Sequence, residues 1–194
     1  MRKILVAGNW KMNGSSAAND ALVAGIKAGL AHSGSVEVLV CPPFPYLAAV
    51  AEKLRGSSVV LGAQNVSEHA AGAFTGEVSA DMLVDIGCKY VIVGHSERRA
   101  LYGESSEQVA EKFRAALNAG LTPILCVGET LGERDNGRTE EVVAGQLAAV
   151  VALSGIASLA SAVIAYEPVW AIGTGKVATP EQAQDVHKFI RGRL

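Results

Sequence analysis

The sequence has few of the residues that would indicate several common classes of protein. Its three cysteines, Cys41, Cys88 and Cys126, lie far apart and form no C-x-x-C pair, which argues against a disulfide framework and a zinc site. We therefore expect a reducing compartment, the cytoplasm. The chain has no basic run and a net charge of only −2, so a nucleic-acid partner has no electrostatic support.

One long segment without charges, between Glu141 and Glu167, raises the question of a membrane span. Its length would be sufficient for a transmembrane helix. However, serine and glycine interrupt its middle at residues 154–161, and much of the segment is alanine. We expect the end of a helix, a loop and a buried strand here, and no contact with a membrane.

Short apolar runs alternate along the whole chain with longer helical patterns. The candidate strands are Ile4–Ala7, Val36–Cys41, Val59–Ala63, Tyr90–Val93, Pro123–Val127 and Ala162–Tyr166. The helical stretches that follow them are roughly Ala17–His32, Tyr46–Leu54, Ala80–Ile86, Ser106–Ala119, Thr139–Leu153 and Thr179–Arg191. The runs are continuously apolar, as in parallel strands covered on both faces. Six strand–helix repeats predict parallel βαβ units in a single domain, residues 1–194.

Helix caps support two of these boundaries. Ser105 and Gln108 have the spacing of a capping box at the start of the fourth helix, and Gly120 has the position of a glycine just after its end. Thr179 followed by Pro180 predicts the start of the sixth helix.

Periodicity alone does not distinguish a closed (β/α)8 barrel from an open doubly wound sheet. No G-x-G-x-x-G motif follows the first strand, although a dinucleotide-binding sheet would favour one. Polar residues instead follow several different strands: Asn9 and Lys11, Gln64 and Asn65, His95 and Glu97, Glu129, and Glu167. Functional groups shared among many strand ends are typical of the barrel.

Four segments carry a resemblance to a known family. They are GNWKMN at 8–13, GAQN at 62–65, VGHSERR at 93–99 and AYEPVWAIGTG at 165–175. Together they closely resemble the triosephosphate isomerase family, and the similarity runs over the whole chain. The resemblance implies a TIM barrel and an isomerase of glycolysis and gluconeogenesis. Such an enzyme interconverts dihydroxyacetone phosphate and glyceraldehyde 3-phosphate through an enediolate, without a cofactor or a metal.

The resemblance also implies the residues at the reacting centre. Glu167 is expected to be the base that moves the proton between two substrate carbons, with its basicity raised by burial. His95, at the start of a short helical turn, is expected to be neutral and to donate a hydrogen bond to the enediolate oxygens. Lys11 would be the cation beside the phosphate and the developing oxyanion, and Asn9 would add a polar contact.

Further residues are expected in supporting roles. Residues 168–178 resemble the mobile lid of the family, with Gly173 at a tip whose amides approach the phosphate. Glu97 is expected to pair with Lys11, although Arg98 and Arg99 are equally suitable partners, and Cys126 and Glu129 are expected to be structural. The long loop 65–78 implies a homodimer in which the tip, near Thr75, enters the neighbouring subunit.

The 194 residues account for only the first six β/α units, whereas typical barrels have about 250 residues. We expect the domain to be incomplete at its C-terminal end, with exposed edges on the first and sixth strands. The chain alone would then be poorly stable, prone to association and nearly inactive.

Two alternatives remain open. The first is another sugar-phosphate barrel enzyme, either a Schiff-base aldolase, which needs a buried lysine, or a metal-dependent epimerase, which needs convergent ligands. The second is a fragment that acts only as an assembly module.

Overall fold

The computed structural model describes residues 4–30 and 34–194. Residues 1–3 of the predicted domain lie outside the described residues, as does His32 at the end of the predicted first helix. The strands are β1 (Leu5–Asn9), β2 (Glu37–Cys41), β3 (Val60–Ala63), β4 (Tyr90–Val93), β5 (Thr122–Val127) and β6 (Val163–Tyr166). The α-helices are α1 (Ser16–Gly29), α2 (Leu47–Leu54), α3 (Ala80–Ile86), α4 (Ser96–Tyr102), α5 (Ser106–Asn118), α6 (Leu131–Asp135), α7 (Thr139–Ser154) and α8 (Pro180–Arg193).

The six strands form one parallel sheet in the order of the sequence, β1 to β6. Asn9 lies opposite Cys41 where β1 pairs with β2, and Cys126 lies opposite Ala165 where β5 pairs with β6. Helices alternate with the strands, and the sheet curls into an incomplete barrel. The prediction of a TIM barrel represented by its first six β/α units is therefore confirmed.

Strands β2 to β5 are largely buried on both faces, and alternate residues of each strand point to opposite sides. Leu39, Cys41, Tyr90, Ile92, Ile124 and Cys126 form a small cluster inside the curl. The intervening residues, such as Val40, Val91 and Leu125, pack against the helices together with Phe113 of α5. This arrangement explains why the central strands are continuously apolar.

The first strand departs from this pattern. Val6 in β1 is 56% exposed, and among the described residues β1 pairs only with β2, as β6 pairs only with β5. The expectation of burial on both faces is wrong for β1, because no strand covers its other edge in the part of the chain that the structure describes. The expectation that the first and sixth strands have open edges is confirmed.

The predicted caps are present. Ser105 and Gln108 form a complete capping box at α5, and Gly120 follows that helix with a φ of 83°. Thr179 caps α8, which begins at Pro180.

The uncharged segment contains α7, a 3-10 helix at Ile156–Ser161 and the half-buried strand β6. Among the described residues, no helix has both the length and the apolar character needed to cross a membrane. Two short helices, α4 and α6, have no counterpart among the predicted helices, although a turn was expected at the start of α4.

Candidate active site

A cavity of about 530 Å³ opens at the C-terminal ends of the first strands of the sheet. Its lining includes Asn9 and Lys11 after β1, Gln64 after β3, and His95 and Glu97 after β4. The fold thus brings together the polar residues that follow three different strands.

Lys11 has a strained backbone at this cavity. Its φ of 52° makes it the one non-glycine residue with a positive φ among residues 4–30 and 34–194. The Lys11 amide donates to Asn9 Oδ1 (2.9 Å), and Gln64 Nε2 donates to the Lys11 carbonyl (2.9 Å). The expected ion pair is present, because Lys11 Nζ lies 2.6 Å from Glu97 Oε1. These contacts hold the backbone and the ammonium group of Lys11 at the wall of the cavity.

His95 is buried and forms the N-cap of α4. Its Nδ1 accepts a hydrogen bond from the Glu97 amide (3.2 Å), so Nδ1 carries no proton. Its Nε2 lies 3.0 Å from Glu167 Oε1. In this arrangement the imidazole Nε2–H donates to the carboxylate.

Glu167 follows β6, and its amide donates to the Val127 carbonyl (2.8 Å). The Ser96 amide donates to Glu167 Oε2 (2.9 Å), and the Ser96 hydroxyl lies 3.4 Å from Oε1. Burial raises the pKa of Glu167, but the hydrogen bonds from His95 and Ser96 outweigh it and leave the pKa below its ordinary value. The expected effect of burial is therefore present, but the net shift of the Glu167 pKa is downward, because the carboxylate is hydrogen-bonded as well as desolvated.

The close approach of β5 and β6 beside this carboxylate depends on a glycine. A Cβ on Gly128 would lie 1.9 Å from the Glu167 carbonyl oxygen, so no side chain fits there. Gln146 of α7 fixes the same residue by accepting from the Gly128 amide (2.8 Å) and donating to its carbonyl (3.0 Å).

Glu167 and the remaining predicted residues lie around this cavity without lining it. Cys126 is buried inside the sheet, and burial and the nearby Glu167 carboxylate raise its pKa well above the ordinary thiol value. Gly173 lies in the exposed segment after β6, and its φ is 69°. Thr75 lies at the exposed tip of the loop between β3 and α3. Neither Gly173 nor Thr75 lines the cavity.

Glu129, which follows β5, is a hydrogen-bonding centre at the start of segment 168–178. Its side chain is fully buried, and Oε1 accepts from Arg134, Tyr166 and Trp170, each at 3.0 Å. The Arg134 guanidinium also lies over the Trp170 ring, 4.5 Å from its centroid. Trp170 belongs to the first part of the predicted lid, so Glu129 fixes the beginning of that segment to the body of the protein.

Sequence reasoning missed the contribution of Ser96, whose amide and hydroxyl both contact the Glu167 carboxylate. Its position directly after His95, at the start of a helix, was the signal that would have identified it, because the first amides of a helix are free to bind anions. In the described part of the chain, no group of three or more histidine, cysteine or acidic side chains is arranged to hold a metal ion.

The sequence matches known proteins over almost its whole length. The sequence model of the family "Triosephosphate isomerase" matches residues 4–194. The chain belongs to the triosephosphate isomerase family. Like other members of that family, it is an aldose–ketose isomerase on a TIM-barrel scaffold.

Three similar relatives are named triosephosphate isomerase. The protein from Thiobacillus denitrificans is 70% identical over 194 residues, which cover 100% of this chain and 77% of the relative. The protein from Dechloromonas aromatica is 61% identical over 194 residues, 100% of this chain and 78% of the relative. The protein from Nitrosomonas europaea is 60% identical over 189 residues, 97% of this chain and 75% of the relative.

Proposed function

We propose that this chain interconverts dihydroxyacetone phosphate and glyceraldehyde 3-phosphate with Glu167 as the base. The observation that carries the proposal is the 3.0 Å contact between Glu167 Oε1, which follows β6, and His95 Nε2, which follows β4. Proton removal beside a carbonyl requires a base and, within reach of it, a donor to the carbonyl oxygen. A carboxylate next to a neutral imidazole N–H provides both groups.

In this proposal His95 donates to the substrate oxygens while Glu167 moves the proton between the two carbons. The neutral imidazole already presents its Nε2–H toward Glu167, and Nδ1 is held by the Glu97 amide. Substrate binding would exchange the bond to Glu167 for one to the enediolate oxygens. That exchange frees the carboxylate for its work as a base.

Lys11 supplies the positive charge for the substrate phosphate and for the developing oxyanion, and Asn9 supports it. Asn9 accepts from the Lys11 amide and lines the same cavity, so it contributes a polar contact to the substrate. Glu97 positions the ammonium group through their 2.6 Å ion pair. A fixed charge of this kind stabilises a transition state by several kcal/mol.

Two further residues are assigned supporting roles. Residues 168–178 form a lid with Gly173 at its tip, and the backbone of Gly173 binds the substrate phosphate when the lid closes. Cys126, buried on β5 beside the Glu167 carboxylate, supports the geometry of the base. No cofactor is required for this chemistry.

The assembly that we propose is a homodimer of single-domain chains in the cytoplasm. Met12, Leu101 and Tyr102 line the cavity with largely exposed apolar side chains, which suit contact with another protein surface. The loop with Thr75 at its tip suits contact with these apolar side chains in another subunit. Its exposed Phe74 stacks on His69 and presents an apolar surface. The three cysteines are free thiols, which supports a reducing compartment.

The test is isomerase activity on glyceraldehyde 3-phosphate. The chain is assayed beside an extended version, which has the full length of the Thiobacillus denitrificans relative. In the active form, Glu167→Asp is expected to lower kcat by about 10²-fold or more with little change in KM, because the shorter side chain withdraws the base from the reacting carbon. An unchanged kcat would remove Glu167 from the role of base.

A further inference from the structure

Arg99, on α4, joins the ends of β4 and β5. Its Nε donates to the Gly94 carbonyl (2.8 Å), and its Nη2 donates to the Cys126 carbonyl (3.4 Å). Gly94 directly precedes His95, and Cys126 precedes Val127, whose carbonyl binds the Glu167 amide. One guanidinium group thus spans the ends of β4 and β5 and connects the backbone supports of His95 and Glu167.

The close fit of this guanidinium depends on Gly94. With a φ of 70°, Gly94 adopts a backbone conformation that L side chains rarely adopt. A Cβ there would lie 2.8 Å from Arg99 Nη2 and 2.8 Å from Val109 Cγ1. The turn before His95 is therefore packed directly against the guanidinium and the core of α5.

Arg99 also differs from the other partly buried cations in its partners. Arg98 and Lys112 both pair with Glu104, whereas no ion pair among the described residues includes Arg99. The third hydrogen bond of its guanidinium goes to the hydroxyl of Ser106 (3.2 Å), again a neutral acceptor. Burial lowers the pKa of Arg99, while the charges of surrounding acidic groups, Glu167 among them, act to raise it.

Because the hydrogen-bond acceptors of Arg99 are neutral, no direct partner in the described part of the chain offsets its positive charge. That charge therefore favours the ionised form of a nearby acidic group. Arg99 and Glu167 line the same small cavity of about 260 Å³, next to Ser96. Four groups therefore face the Glu167 carboxylate or act on its charge: His95 from the end of β4, Cys126 from β5, and Ser96 and Arg99 from α4. Among them only the Arg99 guanidinium is a permanent cation.

We propose that Arg99 is a positioning residue for the isomerisation. It holds the ends of β4 and β5 so that His95 and Glu167 meet, and its charge keeps Glu167 in the form that accepts a proton. The proposal rests on the role of Glu167 as the base. It gives α4 two functions. His95 caps the N-terminus of the helix, and through Arg99 the helix also places a cation beside Glu167.

The test measures kcat, KM and the pH dependence of kcat/KM for Arg99→Met and Arg99→Lys. For Arg99→Met we expect kcat to fall by about 10²-fold, because small displacements of catalytic groups have effects of this size, while KM changes by less than about threefold. The acidic limb of the profile is expected to move to higher pH, because the charge that favours the carboxylate is gone. Arg99→Lys is expected to return the acidic limb toward the parent position but to recover only part of kcat, because lysine lacks the planar fork.

Arg138→Met provides the matched control and should leave the kinetics unchanged, because Arg138 is an exposed arginine whose ion pair among the described residues is with Glu141 alone. The proposal is overturned if Arg99→Met keeps kcat within about threefold of the parent. It is also overturned if Arg99→Met and Arg99→Lys lose activity equally with no movement of the acidic limb, which would indicate a purely structural role. If circular dichroism shows that Arg99→Met is unfolded, Arg99→Gln takes its place, because it lacks the charge but keeps a hydrogen-bond donor. The acidic limb of its kcat/KM profile is then expected to move to higher pH, and an unmoved limb overturns the proposal.

Glu167→Gln, assayed in parallel, separates this proposal from the proposed function. If Glu167→Gln retains kcat, the base has been assigned wrongly, and the Arg99 proposal is overturned with it. If Glu167→Gln is inactive while Arg99→Met behaves as the parent, only the Arg99 proposal is overturned.

Discussion

The buried charges of Glu104 and Lys112 give a quantitative prediction for stability. Both side chains are 6% exposed, and Lys112 Nζ lies 2.6 Å from Glu104 Oε1 and 3.1 Å from Asn65 Oδ1. Arg98 Nε lies 2.5 Å from the same carboxylate oxygen. Replacing Glu104 by Gln keeps the shape but leaves a buried ammonium group without its counter-charge. Removal of one partner from such a pair costs about 3–5 kcal/mol.

The assay is urea unfolding of the extended version, followed by circular dichroism. Glu104→Gln is expected to lower the free energy of unfolding by that amount. The double variant Glu104→Gln/Lys112→Met should lower it by less than the sum of the two single variants, because the unpaired Lys112 ammonium group is gone. Arg138→Met, which breaks an exposed pair, is the control and should cost at most about 1 kcal/mol. A loss below about 1 kcal/mol for Glu104→Gln would refute the argument from burial.

The same carboxylate predicts the direction of a pH dependence. Burial raises the pKa of Glu104, but hydrogen bonds from Lys112 and Arg98 outweigh it, so the folded pKa lies below the ordinary value. Its stabilisation is therefore present above the ordinary carboxyl pKa and is lost as the pH falls through the folded pKa. Glu104→Gln should flatten the acidic side of the stability curve, and an unchanged slope would contradict this assignment.

Two further predictions concern the cavity and its surroundings. Lys11→Met is expected to lower kcat/KM by about 10²-fold or more through loss of the fixed charge, whereas Glu97→Gln should have a smaller effect; equal effects would contradict the assignment of the cation. Thr75→Arg should convert a dimer into a monomer in sedimentation experiments at micromolar concentration, because it places a charge at the proposed interface. Ala157→Arg, on an exposed turn, should leave the dimer intact; dissociation of both variants, or of neither, would argue against an interface at this loop.

Much of the fold could be predicted from local signals. Six short apolar runs, each followed by a helical pattern, place the strands within one or two residues of their observed bounds, and the Ser105 and Thr179 caps fix two helix starts. Such signals are readable because helix and strand periodicities and caps depend on residues close together in the chain. The helices α4 and α6 are too short to show a periodicity, so no pattern revealed their extent.

The sequence by itself determined the family and the residue types of the site, because the four motifs stand in a characteristic order along the chain. Only the tertiary structure decided how those residues meet. Ser96 and Glu167 are 71 positions apart and Lys11 and Glu97 are 86 apart, yet each pair is in contact. The direction of the pKa shift of Glu167 followed from such contacts, and so did the bridge that Arg99 makes between two strand ends. These features depend on the curl of the sheet and on side-chain orientation, which no local pattern specifies.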